Sequence, residues 1–199
     1  MEIIKTTKNK FDKIIIDKIV DYLNLGKIIA LPTDTIYGLS CDATDKKAIR
    51  KIIKLKKRNS SKGMIILVDS IKMAKVYCYI NKEQEKLLYK LWTSARPTTV
   101  ILKKKCILPS ILIGNNNSLA IRLPKEKNIV KIVGAIGKPI VSTSLNIAGE
   151  SPMASSQKIF KYFQTKDIDL IIDKGKTKNK KPSRIIDVKD IKKIKIIRK

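Results

Sequence analysis

The chain has 199 residues, 43% hydrophobic and only 5% aromatic, which supplies aliphatic material for one sizeable core and excludes general disorder. Its formal charge of +27 comes from 38 Lys and 6 Arg against 17 acidic residues, alongside 36 Ile and no His. Without His, imidazole bases, Ser-His-Asp triads and His-ligated zinc are excluded, and Cys41, Cys78 and Cys106 are too scattered for a disulfide framework or a zinc site.

No apolar run approaches the roughly 20 residues of a membrane span. Met1-Glu2-Ile3-Ile4-Lys5-Thr6 lacks the apolar stretch of a signal peptide. A single domain over residues 1–199, cytoplasmic and away from membranes, is expected. The joint excess of Lys and Ile over Arg fits an AT-rich coding bias, in which case the charge is a solvated lysine coat. It also makes anionic partners such as nucleotides or RNA electrostatically easy.

Along the chain, Ile16, Ile19, Val20 and Leu23 fall at helical spacing, with Asp12 as N-cap and Gly26 as the terminating C′ residue. Residues 27–31 read as a buried strand, and Pro32-Thr33-Asp34-Thr35 as a turn. Thr44 is expected to cap a second helix, carrying Ala48, Ile49, Ile52 and Ile53 on one face and running toward Lys56-Lys57-Arg58. A strand at 64–68, helices at 71–77 and 82–91, and strands at 98–102 and 119–123 follow, the last two separated by a turn at Gly114-Asn115-Asn116-Asn117. A helix over 129–136 stops at Gly137, a strand occupies 139–143, residues 155–163 look helical, and strands close the chain at 168–172, 184–188 and 193–197. Interleaved helices and strands define an α/β protein with a mixed sheet.

Four segments stand out from the lysine background. Pro32-Thr33-Asp34-Thr35-Ile36-Tyr37-Gly38 follows a buried strand, where α/β proteins tend to place ligands; an Asp-stabilised turn is the plain alternative. Lys56-Lys57-Arg58-Asn59-Ser60-Ser61-Lys62-Gly63 brings cations onto one connection. These can clamp a polyphosphate or simply complement a helix C-terminus. Lys57 is expected on the opposite side of the backbone from the clamp. Ser142-Thr143-Ser144-Leu145-Asn146 ends a strand with more small donors and acceptors than one helix cap requires. Finally, Arg122 and Arg184 stand on strands, where each can pair with a carboxylate of the protein or of a substrate. No Walker or G-x-G-x-x-G pattern is present.

Together, Pro32-Thr33-Asp34-Thr35-Ile36-Tyr37-Gly38-Leu39, Lys56-x-Arg58 with Lys62, Ser118-Leu119-Ala120-Ile121-Arg122, Ser144-x-Asn146 and Pro182-Ser183 resemble the YrdC-like threonylcarbamoyl-AMP synthases, in their short single-domain form. The resemblance implies an α/β fold whose twisted mixed sheet and flanking helices surround a positively charged cavity. It implies formation of threonylcarbamoyl-AMP and pyrophosphate from L-threonine, bicarbonate or CO2, and ATP, with Mg2+ carried by the ATP. A partner tRNA threonylcarbamoyl-transferase complex then moves the group to adenosine 37 of tRNA. By this similarity Thr35, Arg122, Ser144 and Ser183 hold threonine, while Lys56, Arg58, Lys62, Ser118 and Asn146 hold ATP, Lys56 and Arg58 being the catalytic pair.

Two positions depart from the family pattern. Ala95-Arg96-Pro97 stands where Pro-Gly-Pro is usual, so either the loop has shifted or Arg96 joins the phosphate clamp, the former being favoured. Leu145 replaces a small residue and is expected to pack inward. Two other readings compete: a double-stranded RNA or tRNA binding module without chemistry, and a carbamoyl-adenylate domain of the hydrogenase-maturation type, whose long cysteine-bearing chains this sequence does not match.

Overall fold

The computed structural model describes residues 1–6, 10–59, 63–114, 117–145, 168–175 and 182–199. In chain order it places β1 (Glu2–Lys5), α1 (Lys13–Asn24), β2 (Ile29–Pro32), β3 (Tyr37–Ser40), α2 (Lys46–Leu55), β4 (Ile65–Leu67), α3 (Ile71–Tyr77), α4 (Lys82–Thr93), β5 (Thr98–Lys103), α5 (Ser110–Ile113), β6 (Ser118–Arg122), α6 (Lys127–Ile136), β7 (Ile140–Ser144), β8 (Leu170–Asp173), β9 (Arg184–Asp187) and β10 (Lys195–Arg198). The expected α/β class is what forms. Among the described residues, no helix is long and apolar enough to cross a membrane.

Local chemistry explains the ends of the elements. The Asp12 carboxylate accepts from the Ile15 amide at 2.9 Å and opens α1. At its far end Gly26 takes φ +65°, and the amides of Gly26 and Lys27 bond to the carbonyls of Leu23 and Tyr22, a Schellman closure. Gly137 ends α6 in the same left-handed conformation. The second helix corrects the sequence reading. Asp45, not Thr44, is its N-cap, accepting from the amides of Lys47 and Ala48, while the Thr44 hydroxyl donates to Asp42. A carboxylate is the stronger acceptor for two amides at a helix N-terminus, and it stood one residue further on.

The ten strands form one sheet in the order β1-β8-β2-β3-β7-β4-β6-β5-β9-β10. Pairing is parallel for β1/β8, β2/β8, β4/β6 and β5/β9 and antiparallel for the rest. Because successive strand residues point to opposite faces, the aliphatic runs split into two cores. Ala30, Ile66, Val100, Ile121, Val141 and Ile171 face α2 to α5. Ile29, Leu31, Leu67, Ile140, Leu170 and Ile172 face α1 and α6.

Three elements were not expected. β3 is buried along its whole length, so it shows no polar–apolar alternation and reads as the tail of a loop. β1 and α5 have only four residues each, too few for a period to declare itself. The helix expected at 155–163 lies outside the described residues.

Candidate active site

α1 and α6 cover only part of their face of the sheet. Beyond them the same face carries Ile65, Ser118, Ala120, Arg122, Ser142, Ser144 and Ile101, the positions alternating with core residues on β4, β6, β7 and β5. Small and polar side chains there leave a hollow instead of a core. A cavity of about 490 Å³ opens over these strands. Its described lining includes Thr35, Arg58, Ser118, Arg122, Ser144, Ser183 and Arg198, and contains three arginines but no carboxylate.

The end of α2 decides which cations reach this hollow. Lys57 adopts φ +48°, and the amides of Lys57 and Arg58 close onto the carbonyls of Lys54 and Ile53. This is a Schellman turn with lysine where glycine is usual. The reversal throws Lys56 inward to 2% exposure, leaves Lys57 exposed, and aims Arg58 along the cavity wall.

The Lys56 ammonium donates to the Ser144 carbonyl, and burial, with Arg58 next to it, brings its pKa down to about 8. Arg58 donates to the Gly63 carbonyl at 2.8 Å. Burial disfavours its charge too.

At the opposite wall Arg122 ends β6. Its guanidinium is ion-paired with Asp34 and donates to the Thr35 hydroxyl at 3.3 Å. The β2–β3 loop shapes this partner: the Thr33 hydroxyl donates to the Ile36 carbonyl at 2.7 Å, accepts from the Thr35 amide at 3.1 Å and lies 3.0 Å from the Thr35 hydroxyl. Ser183 is buried, 2.8 Å from the Thr99 hydroxyl, and its carbonyl accepts from Nε and Nη2 of Arg198 at 3.0 and 2.8 Å. Burial and then the nearby Arg122 charge lower the Arg198 pKa. The described lining gathers three guanidiniums in a partly dry recess, where an anionic ligand would relieve their mutual repulsion.

Of the expected site residues, Thr35, Arg58, Ser118, Arg122, Ser144 and Ser183 share one cavity. Lys56 stands behind the wall and reaches it through Ser144. Lys62 and Asn146 lie outside the described residues.

Arg184 bonds to Thr98 at 3.3 Å instead of lining the cavity, because it occupies the other parity from Ser183 and Ile185. Arg96 is exposed and does not line the cavity either, so among the described residues it does not join the clamp. Leu145 packs inward at 0% exposure. Arg198 was missed. It stands one residue past the strand expected at 193–197, and its only signal was being one of six arginines in a lysine-dominated chain.

The sheet of this α/β protein leaves on one face a hollow whose described lining carries hydroxyls and three arginines, and comparison with known proteins makes the class specific. The Sua5/YciO/YrdC family, described as telomere recombination, matches residues 21–199, and the chain belongs to this family. It is 35% identical over 170 residues to a threonylcarbamoyl-AMP synthase of Buchnera aphidicola (subsp. Acyrthosiphon pisum), covering 83% of this chain and 94% of that one. It superposes on the Pyrococcus abyssi Sua5 structure complexed with L-threonine with a TM-score of 0.85 and 29% identity, over 94% of this chain and 54% of that one; the chain thus spans about half of the Pyrococcus protein. The Escherichia coli YciO structure shares the fold, with a TM-score of 0.86 at 23% identity over 100% of this chain and 96% of that one.

Proposed function

We propose that this chain is a threonylcarbamoyl-AMP synthase, joining L-threonine, bicarbonate or CO2, and ATP into threonylcarbamoyl-AMP with release of pyrophosphate. The observation that carries this reading is the convergence of Arg58, Arg122 and Arg198 with Thr35, Ser118, Ser144 and Ser183 on one cavity. Curated relatives bear the synthase name, and a similar structure was solved with L-threonine.

In this reading Arg122 takes the threonine carboxylate, and the hydroxyls of Thr35, Ser144 and Ser183 take the amine and side-chain oxygen. Lys56, Arg58, Lys62, Ser118 and Asn146 take the nucleotide, with Arg198 added to the cationic wall. The neutral threonine amine captures CO2 as a carbamate, losing its N–H proton to solvent. A carbamate oxygen attacks the α-phosphorus of ATP, the bond from that phosphorus to the β-bridging oxygen breaks, and pyrophosphate carries the electron pair away. Two anions are joined and a third expelled, so fixed positive charge dominates over proton transfer, and no histidine is required.

Mg2+ arrives as part of the ATP substrate; the cavity's hydroxyls and guanidiniums suit phosphate oxygens, not a resident dication. The labile product passes to a tRNA threonylcarbamoyl-transferase complex in the cytoplasm.

The test is pyrophosphate release by the purified protein, with mass detection of the mixed anhydride. Release that requires threonine, bicarbonate and Mg-ATP together supports the synthase. Inertness alongside tight, salt-sensitive RNA binding would replace it with the RNA-binding module.

A further inference from the structure

Asp34 takes no part in the assignment above, yet among the described residues it is the one carboxylate ion-paired with an arginine that lines the cavity, and both of its oxygens are engaged. One pairs with Nη2 of Arg122, and the other accepts from the Lys125 amide at 3.3 Å. The pair is nearly sealed from solvent, with side-chain exposures of 8% for Arg122 and 10% for Asp34. It joins residues 88 positions apart, tying the β2–β3 loop to the end of β6. Lys125 is held in turn, its ammonium donating to the Ser94 carbonyl.

The guanidinium is thus gripped at two corners by neighbours in one loop, Asp34 on Nη2 and Thr35 on Nη1, while its buried Nε has no partner among the described residues.

We infer that Asp34 is a positioning residue that aims the Arg122 guanidinium at the substrate carboxylate. The inference rests on the assignment of threonine to Arg122. A guanidinium recognises a carboxylate through a planar fork, so its orientation matters as much as its charge. A flexible arginine stem needs a fixed second partner to hold that plane before substrate arrives. Asp34 acts on substrate through Arg122, its two oxygens being bonded to Arg122 and the Lys125 amide.

The inference separates orientation from charge. Asp34→Asn keeps a carbonyl acceptor of the same reach and drops the charge, whereas Asp34→Ala removes the acceptor altogether. L-Threonine and Mg-ATP binding are measured by calorimetry on the full chain, with steady-state kinetics alongside.

Asp34→Ala is expected to weaken threonine binding and raise its KM at least about tenfold, with kcat at saturating threonine and Mg-ATP affinity within about twofold of wild type. Asp34→Asn is expected to stay within about threefold throughout. If Asp34→Ala fails to fold, Asp34→Ser, whose hydroxyl is too short to reach Arg122, replaces it with the same expectation.

Threonine bound as tightly or more tightly by the Ala variant would make Asp34 a competitor of substrate and overturn the inference. Equal weakening of threonine and Mg-ATP would reduce it to a scaffold residue. An Asn variant as weak as the Ala variant would assign the effect to charge instead of aim. Arg122→Ala tells the two readings apart: unchanged threonine binding there removes the underlying assignment, whereas loss there with a silent Asp34→Ala removes this inference alone.

Discussion

Arg58 tests the electrostatic account most directly. It lines the cavity, whose described lining holds no carboxylate, and is anchored on the Gly63 carbonyl at 2.8 Å. A unit charge acting at about 4 Å through an effective dielectric near 20 contributes roughly 4 kcal/mol. Discounting for the half-exposed guanidinium leaves about 2.7 kcal/mol, or about 100-fold in rate.

Arg58→Ala should therefore lower kcat/KM for pyrophosphate release by at least about 100-fold, and Arg58→Lys, which keeps charge but loses the fork, by about tenfold. The control is its neighbour Lys57, exposed and turned outward by its positive φ; Lys57→Ala should remain within about twofold of wild type. The assay is initial-rate pyrophosphate release with threonine and bicarbonate saturating and ATP varied. Equal effects at the two positions would mean that local charge density matters and cavity placement does not, which would refute the reasoning.

Lys56 should make ATP binding pH-dependent. Burial beside Arg58 lowers its pKa from 10.5 to about 8, so the ammonium is present below that pH and lost above it. Calorimetric ATP affinity should fall as pH rises through that value, with proton uptake on binding, whereas Lys56→Met should bind weakly with a flat profile; a flat wild-type profile would exclude Lys56 from the phosphate site.

Selectivity is expected to be modest. One methyl contributes about 1–3 kcal/mol in an apolar pocket, so serine should be turned over more slowly than threonine, and Ile36→Ala at the lining should narrow the gap. Equal turnover of both amino acids by the wild type would defeat this.

Gly63→Ala would set a methyl carbon 2.7 Å from the Ile113 carbonyl oxygen. Thermal melts should show a loss of about 1–3 kcal/mol from overpacking, with activity falling because Gly63 also anchors Arg58. An unchanged melting temperature would mean that the β4 entrance yields freely.

Much of this protein was legible in one dimension. The absence of His, the caps at Asp12, Gly26 and Gly137, and most strands and helices follow from composition and from periods of 2 and 3.6 residues, which neighbouring residues carry among themselves. The hydroxyl and basic motifs were visible for the same reason, as local departures from a Lys- and Ile-rich background.

The inventory of the cavity was legible only through the family resemblance, which named Thr35, Arg58, Ser118, Arg122, Ser144 and Ser183; charge and period alone do not select them. Among Lys56, Lys57 and Arg58 the resemblance set Lys57 apart but gave no physical cause; the left-handed turn at Lys57 supplies it, sending the first inward, the second out and the third to the wall. Arg122 meets Asp34, and Arg198 meets Ser183, only because β6 and β10 are carried to those places by the sheet order. Arg184, on the wrong strand parity, is turned away. Cap and period are decided by residues a few positions apart, whereas a binding hollow is decided by cross-strand neighbours far apart in the chain, and such pairings exist only once the sheet has closed around them.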